Sequence, residues 1–285
     1  MRYFVTGASG FIGSALVREL IGAGHRVVGL ARSDAAAASL AAAGAEVHRG
    51  SLDDLGGLAV AAKAADGVAH LAYNHDFTDM TAAGAADLRA VEAIGGALEG
   101  SGKPFVVTSG TLLVASGRVA TEEDAVDLEG FGAARGRSEV AAIELAGRGV
   151  RSSVLRLPPS VHGRGDRGFV PTLIGVAREK GVAAFVGDGS NRWPSVHRRD
   201  AARLFRLALE GAPAASGCTE SRTAGCRCGR SRASSAATWA SRWPGSPPRR
   251  RPPTSAGSAR SRRSTIRRRP SRRGSGWAGS RSSRV

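Results

Sequence analysis

The first 216 residues contain no cysteine, and all three cysteines of the chain lie in residues 217–285 (Cys218, Cys226 and Cys228). An odd number of cysteines, in a C-R-C pattern without the further ligands of a zinc site, predicts neither a disulfide framework nor a metal centre. The chain also lacks an apolar run longer than a strand, which predicts no signal peptide and no membrane span. We therefore expect a cytoplasmic protein with no metal and no membrane partner.

Residues 217–285 also lack Leu, Phe, Tyr, Met and Lys, and contain one acidic residue, Glu220. Their 18 arginines account for the formal charge of +17, because the first 216 residues have 23 basic and 23 acidic side chains. Ile266 and Val285 are the only aliphatic residues beyond alanine, so the segment cannot bury enough surface to offset its ordering entropy. We predict a basic, low-complexity, disordered tail.

The composition of this tail is also what a GC-rich gene gives when it is translated out of frame. In the shifted frame, serine codons that begin with TC become Phe, Leu, Ile or Val codons, and the tail has 15 serines. With GC-rich third bases, residues 218–232 reread as LHGVADGGVPLREIA and residues 248–259 as PEEAAAHFGWLG, which is typical of amphipathic protein. We favour a frameshift over the alternative of an Arg-rich arm that binds nucleic acid.

The chain does contain three closely spaced glycines, in the amino-terminal stretch RYFVTGASGFIGSALVREL. A short β-prone run precedes them and a helical apolar pattern follows, which predicts a strand-to-helix turn. Gly7 allows the tight bend, Gly10 allows the backbone to approach a pyrophosphate, and Gly13 allows the helix to pack closely on the strand. The positive end of the helix then faces the phosphates.

The spacing G-x-x-G-x-x-G within TGASGFIG resembles the short-chain dehydrogenase/reductase superfamily, in particular its extended and atypical branch of NAD(P)-dependent epimerase/dehydratase-like proteins. The resemblance implies an α/β fold, a doubly wound Rossmann parallel sheet. We expect an NAD(P)-binding domain over residues 1–165, a small, truncated substrate lobe over residues 166–216 and the basic tail over residues 217–285. The turn residues expected to contact the cofactor are Gly7, Ser9, Gly10, Phe11, Ile12 and Gly13.

The second predicted strand, HRVVGLAR, ends in Arg32. NAD-preferring Rossmann proteins place an acid near this point to hold the ribose hydroxyls, whereas an arginine suits the 2′-phosphate of NADP. NADP is therefore the favoured cofactor. The alternative is NAD, with Arg32 a solvated charge at the end of a strand.

Two further runs resemble cofactor-binding segments of the family. The stretch GSLDD resembles the family's G-D-L-x-D, whose first Asp lies near the adenine, but here a serine replaces that Asp. We therefore expect Leu52 and Asp53 to contact the adenine instead. The run DGVAHLA resembles V-I-H-L-A and implies that Leu71 and Ala72 line the cofactor groove. His70 is interpreted as a structural histidine rather than a catalyst.

The fifth predicted strand is KPFVVTSG. We expect the catalytic residues at its carboxyl end, because ligands bind beyond the carboxyl ends of strands in open α/β sheets. A Ser or Thr there hydrogen-bonds the substrate carbonyl in the family. Ser109 and Thr111 are both catalytic candidates, and a plain strand-end turn is the alternative.

The family's catalytic Tyr and Lys, four residues apart on a helix, are replaced in the stretch RGRSE by Arg135 and Glu139. An ordinary Tyr-Lys mechanism is thereby excluded, unless Tyr73 reaches the site from another direction. Further along, the likeness to the extended branch implies that Arg192 and His197 face a small-molecule substrate. Arg192 is the stronger of the two candidates, although a surface ion pair explains it equally well.

Two classes of function fit these features. The first is an NAD(P)-dependent oxidoreductase or epimerase/dehydratase-like enzyme that acts on a small carbonyl or hydroxyl substrate. The second is a non-catalytic NAD(P)-binding sensor or scaffold protein, which the missing Tyr and Lys suit. Nucleic-acid binding through the tail is a third and weaker hypothesis.

Overall fold

A computed structural model describes residues 1–75, 78–114, 120–130, 132–185, 187–190 and 192–214 of the chain. The tail over residues 217–285 lies outside these ranges. Its disorder and its origin in a shifted frame therefore stay predictions. Along the part of the chain that is described, no helix is long and apolar enough to cross a membrane.

Six parallel strands form the central sheet, in the order β3-β2-β1-β4-β5-β6. Their bounds are β1 (Arg2–Thr6), β2 (Arg26–Ala31), β3 (Glu46–Arg49), β4 (Gly67–His70), β5 (Pro104–Gly110) and β6 (Arg151–Leu157). This is the doubly wound order of a Rossmann fold, and it confirms the predicted fold class. The inner strands β1, β2, β4 and β5 are buried on both faces, which explains their largely apolar sequences, whereas the edge strand β3 has no buried residue.

Helices cover both faces of the sheet. Their bounds are α1 (Gly13–Gly22), α2 (Asp34–Ala42), α3 (Leu55–Ala64), α4 (Met80–Leu98), α5 (Ala133–Glu144), α6 (Phe169–Lys180) and α7 (Arg198–Gly211). Side chains alternate along each strand, so Tyr3 and Val5 pack under α1, α2 and α7, whereas Phe4 packs under α3, α4 and α5. Two further short strands, β7 (Ser160–His162) and β8 (Ser195–His197), pair in parallel.

Helix α7 packs on the face of the sheet that α1 and α2 also cover, next to α1. Phe205 and Leu209 are fully buried there. At the rim, the Arg206 guanidinium donates to Glu19 Oε1 at 2.9 Å. The guanidinium of Arg151 donates to the backbone carbonyls of Leu209 and Ala212 at 2.7 and 2.8 Å, which satisfies carbonyls at the end of α7. The sheet and this helix are thus joined by both apolar and polar contacts.

Helix α6 differs from the others because none of its residues is buried. The large apolar side chains exposed on it and just beyond it are Val170, Leu173, Ile174, Val176, Val182, Phe185 and Trp193. Soluble monomers rarely expose a contiguous apolar patch of more than a few hundred Å². The truncated substrate lobe over residues 166–216 stays a prediction, and the exposure of these side chains is its motivation.

We expect the chain to be less stable than a variant in which the segment after residue 216 is restored to the shifted frame. The restored segment supplies Leu, Val, Ile, Phe and Trp, and each such side chain contributes about 1.5–3 kcal/mol when fully buried. The restored variant should melt at a higher temperature and bind less of a dye that detects exposed apolar surface. A chain that stops after residue 216 is the control, and it should melt like the original. The frameshift hypothesis fails if the original and restored chains melt alike and the Arg-rich tail resists proteolysis.

Candidate functional site

The crevice of interest lies at the carboxyl ends of β1 and β4, where the order of the strands reverses. From β1 the chain proceeds to β2 and β3 on one side, and from β4 to β5 and β6 on the other. In open α/β sheets, ligands bind at such a reversal because the two adjacent connections diverge and leave a cleft. The predicted glycine turn, the run after β4 and the end of β5 all meet this edge.

The glycine turn is held against the exit of β4. Gly7 has φ +65°, and a Cβ there would lie 2.7 Å from the backbone nitrogen of Ala72. A Cβ on Gly13 would overlap the carbonyl oxygen of Gly7. Both positions therefore need glycine for close packing. Gly10 is exposed, and a Cβ there would have one close neighbour, the Gly7 oxygen at 3.0 Å.

The amino end of α1 is open to a ligand. Ile12 stands at its N-cap, and no side chain accepts a hydrogen bond from the first turn. The N–H groups of Ser14, Ala15 and Leu16 bond to the backbone carbonyl oxygens of Gly10 and Ile12. What the turn offers an anion is therefore the positive end of the helix dipole and the backbone N–H groups that precede Ser14. Ser9 is exposed beside it, while Phe11 and Ile12 are half-buried. The structure thus brings the predicted turn residues together around one uncapped helix end.

An open hollow of about 260 Å³ lies beyond the end of β2. It is lined by Ala31, Arg32, Ser33, Asp34, Arg49, Gly50 and Ser51. The two arginines differ, because Arg49 forms an ion pair with Asp34 whereas Arg32 is exposed and has no carboxylate partner within the described ranges. Next to the hollow, Leu52 packs against the core and Asp53 is exposed, 4.0 Å from Arg89.

A buried hydrogen-bonded chain fixes the exit of β4. The Thr6 hydroxyl accepts hydrogen bonds from the backbone nitrogens of Leu71 and Ala72, both at 3.1 Å, and so donates its own proton to His70 Nδ1 at 2.9 Å. His70 Nε2 then donates to Asp87 Oδ1 at 3.0 Å. Burial alone raises the pKa of Asp87, but the hydrogen bond from His70 and the nearby positive charge, including that of Arg135, outweigh it and hold the pKa below its ordinary value. His70 therefore positions Leu71 and Ala72 at the crevice.

The two catalytic candidates at the end of β5 face different surroundings. Ser109 is 3% exposed, and its hydroxyl donates to Glu139 Oε2 at 2.5 Å. The other carboxylate oxygen of Glu139 accepts from Arg156 Nε at 3.0 Å and from a terminal nitrogen of the same guanidinium at 2.5 Å. Thr111 Oγ1 is buried and has no hydrogen-bond partner in the part of the chain described. The Thr111 hydroxyl is thus uncommitted, whereas the Ser109 hydroxyl is bound within the protein.

Arg135 and Tyr73 meet at the same edge. The guanidinium carbon of Arg135 lies 4.2 Å from the centre of the Tyr73 ring, and a terminal nitrogen lies 3.4 Å from the carbonyl oxygen of Thr108. Burial raises the pKa of the Tyr73 phenol, and the charge of Arg135 opposes that rise. Tyr73, which follows β4, thus contacts the Arg135 side chain of α5.

Among the described residues, the two predicted substrate residues form no hydrogen bond, ion pair or ring contact with Tyr73, Thr111 or Arg135, although Arg198, next to His197, lies over the ring of Phe11. Arg192 is exposed and forms no ion pair or hydrogen bond with any other described residue. His197 caps α7 by accepting a hydrogen bond from the Arg199 backbone nitrogen at 3.3 Å, and its ring lies 5.5 Å from that of His162. Sequence reasoning missed Arg156, although a single arginine inside the otherwise uncharged stretch SSVLRL could have signalled a buried acidic partner.

Residues 3–217 match the NAD dependent epimerase/dehydratase family. The chain belongs to this family. It is similar to an uncharacterised protein of Schizosaccharomyces pombe, with 51% identity over 211 residues, which cover 74% of this chain and 71% of the relative. A second uncharacterised relative, from Saccharomyces cerevisiae, is 47% identical over 212 residues, with the same two coverages.

Two other likenesses involve proteins of named activity. A 4-hydroxy-2-methyl-3-oxo-4-farnesyl-3,4-dihydroquinoline-1-oxide ketoreductase of Stigmatella aurantiaca is 27% identical over 227 residues, which cover 75% of this chain and 66% of the relative. Among solved structures, the dTDP-glucose 4,6-dehydratase DesIV of Streptomyces venezuelae, a double mutant with NAD bound, superposes with a TM-score of 0.62. It is 22% identical, and the match covers 75% of this chain and 74% of that one. At this identity the likeness shows the fold.

We expect Gly10→Val to abolish cofactor binding and to leave the fold intact. The new side chain would project from the exposed turn into the space where a pyrophosphate approaches the backbone, while only one protein atom lies close to its Cβ. Fluorescence titration with NADPH measures the binding, and the thermal midpoint reports the fold. Gly22→Val is the matched control, because it adds the same side chain at the exposed carboxyl end of α1, away from the glycine turn. Normal binding by the Gly10 variant would place the cofactor site elsewhere.

Proposed function

We propose that the protein is an NAD(P)-dependent oxidoreductase of small carbonyl or hydroxyl substrates, with NADP(H) as its preferred cofactor. The observation that carries this proposal is the uncapped amino end of α1 behind a glycine turn, at the reversal point of the sheet. Membership of an NAD dependent family supports it. The likeness to a ketoreductase supports reduction of a carbonyl as the reaction.

The residues present fit a dinucleotide. The exposed face of Gly10 and the positive end of the α1 dipole suit the pyrophosphate, and Leu71 and Ala72, fixed by Thr6, border the groove. The hollow at the end of β2 suits the adenosine ribose. Because Arg32 has no acidic partner there, it is available for a 2′-phosphate.

When bound, the cofactor supplies the hydride chemistry. Two groups of this chain are then proposed to act on the oxygen of a substrate carbonyl. Thr111 donates a hydrogen bond from a hydroxyl that no other described residue uses. Tyr73 is the proton donor: burial raises the pKa of its phenol and so weakens it as an acid, whereas the charge of Arg135 opposes that rise. Ser109 has a structural role, because its hydroxyl donates a hydrogen bond to the buried carboxylate of Glu139.

The alternative function, a non-catalytic NAD(P)-binding sensor or scaffold, is favoured by one observation. Glu139, at the position matched to the family's Lys, is 1% exposed and tightly bound to Arg156 and Ser109. It cannot supply the positive charge that the Lys supplies in the family. The sensor hypothesis therefore predicts cofactor binding without turnover.

Turnover separates the two hypotheses. We expect oxidation of NADPH in the presence of at least one member of a panel of small aldehydes and ketones. Thr111→Val should lower kcat by about 10²-fold at an unchanged thermal midpoint, because it removes one donor to the reacting oxygen. Ser109→Ala is the contrasting variant, and it should lower stability by about 1–3 kcal/mol because it leaves a buried carboxylate oxygen without its donor. Tight cofactor binding with no turnover on the whole panel would favour the sensor.

Cofactor preference depends on Arg32. A charge-assisted bond to the 2′-phosphate contributes about 1.5–3 kcal/mol, so Arg32→Ala should reduce the preference for NADP(H) over NAD(H) by roughly tenfold or more. Arg49→Ala is the matched control, and it should have a smaller effect because Arg49 is already paired with Asp34. Dissociation constants for both cofactors measure the preference. Equal affinities before and after the Arg32 change would remove Arg32 from this role.

A further inference from the structure

A guanidinium without a carboxylate partner lies in the crevice. Arg135 stands near the amino end of α5, where the family's catalytic Tyr is expected, and it is half-buried. Its Nε is buried and has no hydrogen-bond partner in the described ranges. Its one hydrogen bond there is the 3.4 Å contact with the Thr108 carbonyl oxygen, which is long for an N–H donor.

The two buried acids near Arg135 do not pair with it directly. Asp87 accepts from His70 at 3.0 Å, and Glu139 is bound by Arg156 at 2.5 Å. The charge of Arg135 lowers the pKa of Asp87 from a distance, but neither carboxylate forms an ion pair or hydrogen bond with the guanidinium among the described residues. A half-buried guanidinium whose N–H donors lack a bonded anion indicates a site for an anion that comes from outside the protein.

The surroundings of Arg135 select the shape of that anion. The guanidinium carbon lies over the Tyr73 ring, and such stacking holds the planar group in one orientation. A guanidinium offers a fork of parallel N–H donors that matches a planar carboxylate. A phosphate dianion would need more positive charge than a single arginine beside two buried acids provides. The geometry therefore favours a monoanion of planar shape.

We propose that Arg135 binds a carboxylate of the substrate, so that the substrate is a small oxo acid and the product a hydroxy acid. This inference rests on the proposed oxidoreductase function. The reacting carbonyl would then lie beside the carboxylate, towards the hydroxyls of Thr111 and Tyr73. Arg135 thus determines the preference of the protein for carbonyl substrates that carry a carboxylate over neutral ones.

The test compares acids with their neutral esters. Pyruvate, 2-oxobutanoate and acetoacetate are each assayed against the matching ethyl ester, with the full chain and with NADPH. For at least one pair, kcat/KM should be about 10²-fold higher for the acid, which is the scale of a desolvated charge pair. Arg135→Gln should remove this difference, so that each acid and its ester react with similar kcat/KM. Arg135→Lys should recover part of it. Arg137→Gln removes the same charge from an exposed position of α5 and should have no such effect.

A second measurement does not depend on turnover. Calorimetric titration of the three acids into the chain saturated with NADP⁺ should show binding that Arg135→Gln weakens at least tenfold and Arg137→Gln preserves. Thermal midpoints confirm that the variants are folded. If no carbonyl compound is reduced, the proposed function fails while the titration still decides whether Arg135 holds a carboxylate. Equal rates for acids and esters, equal effects of the two variants, or tighter competitive binding of inorganic phosphate would overturn the inference.

Discussion

Contact between backbones at the glycine turn is the constraint on which the crevice depends. Gly7 lies so close to Ala72, and Gly13 so close to Gly7, that a single methyl group at either position would separate β1, α1 and β4. Because the sheet reverses its order between β1 and β4, this contact also sets the width of the cleft. The same closeness leaves Gly10 as the turn glycine whose open side is available to a ligand.

Two buried polar networks then stabilise the floor of the cleft. Thr6, His70 and Asp87 connect β1, β4 and α4, while Ser109, Glu139 and Arg156 connect β5, α5 and β6. Removal of one partner of a buried ion pair typically costs about 3–5 kcal/mol, because it leaves a charge without compensation. An acid at position 139 is therefore tolerable only together with the arginine at position 156.

Much of the fold was predictable, because it depends on local patterns. The glycine spacing, the apolar strands and the exposed Arg32 at the end of β2 are properties of short segments. Helix α3 was not predicted, since its LGGLAVAAKA sequence has two glycines and its stability comes from packing and from the Asp54 cap, which accepts from Gly57 at 2.9 Å. The hydrogen bond from Ser109 to Glu139 and the stacking of Arg135 on Tyr73 join residues that are 30 or more positions apart in the sequence. No local sequence pattern could therefore predict them.

The docking of α7 also has a consequence for synthesis of the protein. The helix packs against α1, and its ion pairs join Arg206 to Glu19 and Glu210 to His25, so that residues near position 210 complete a layer begun by the first 25 residues. Domains fold as units as the chain emerges from the ribosome. This layer can therefore close once Ala212 has emerged from the ribosome. Whatever codons follow, the ribosome has by then delivered every element that this layer contains.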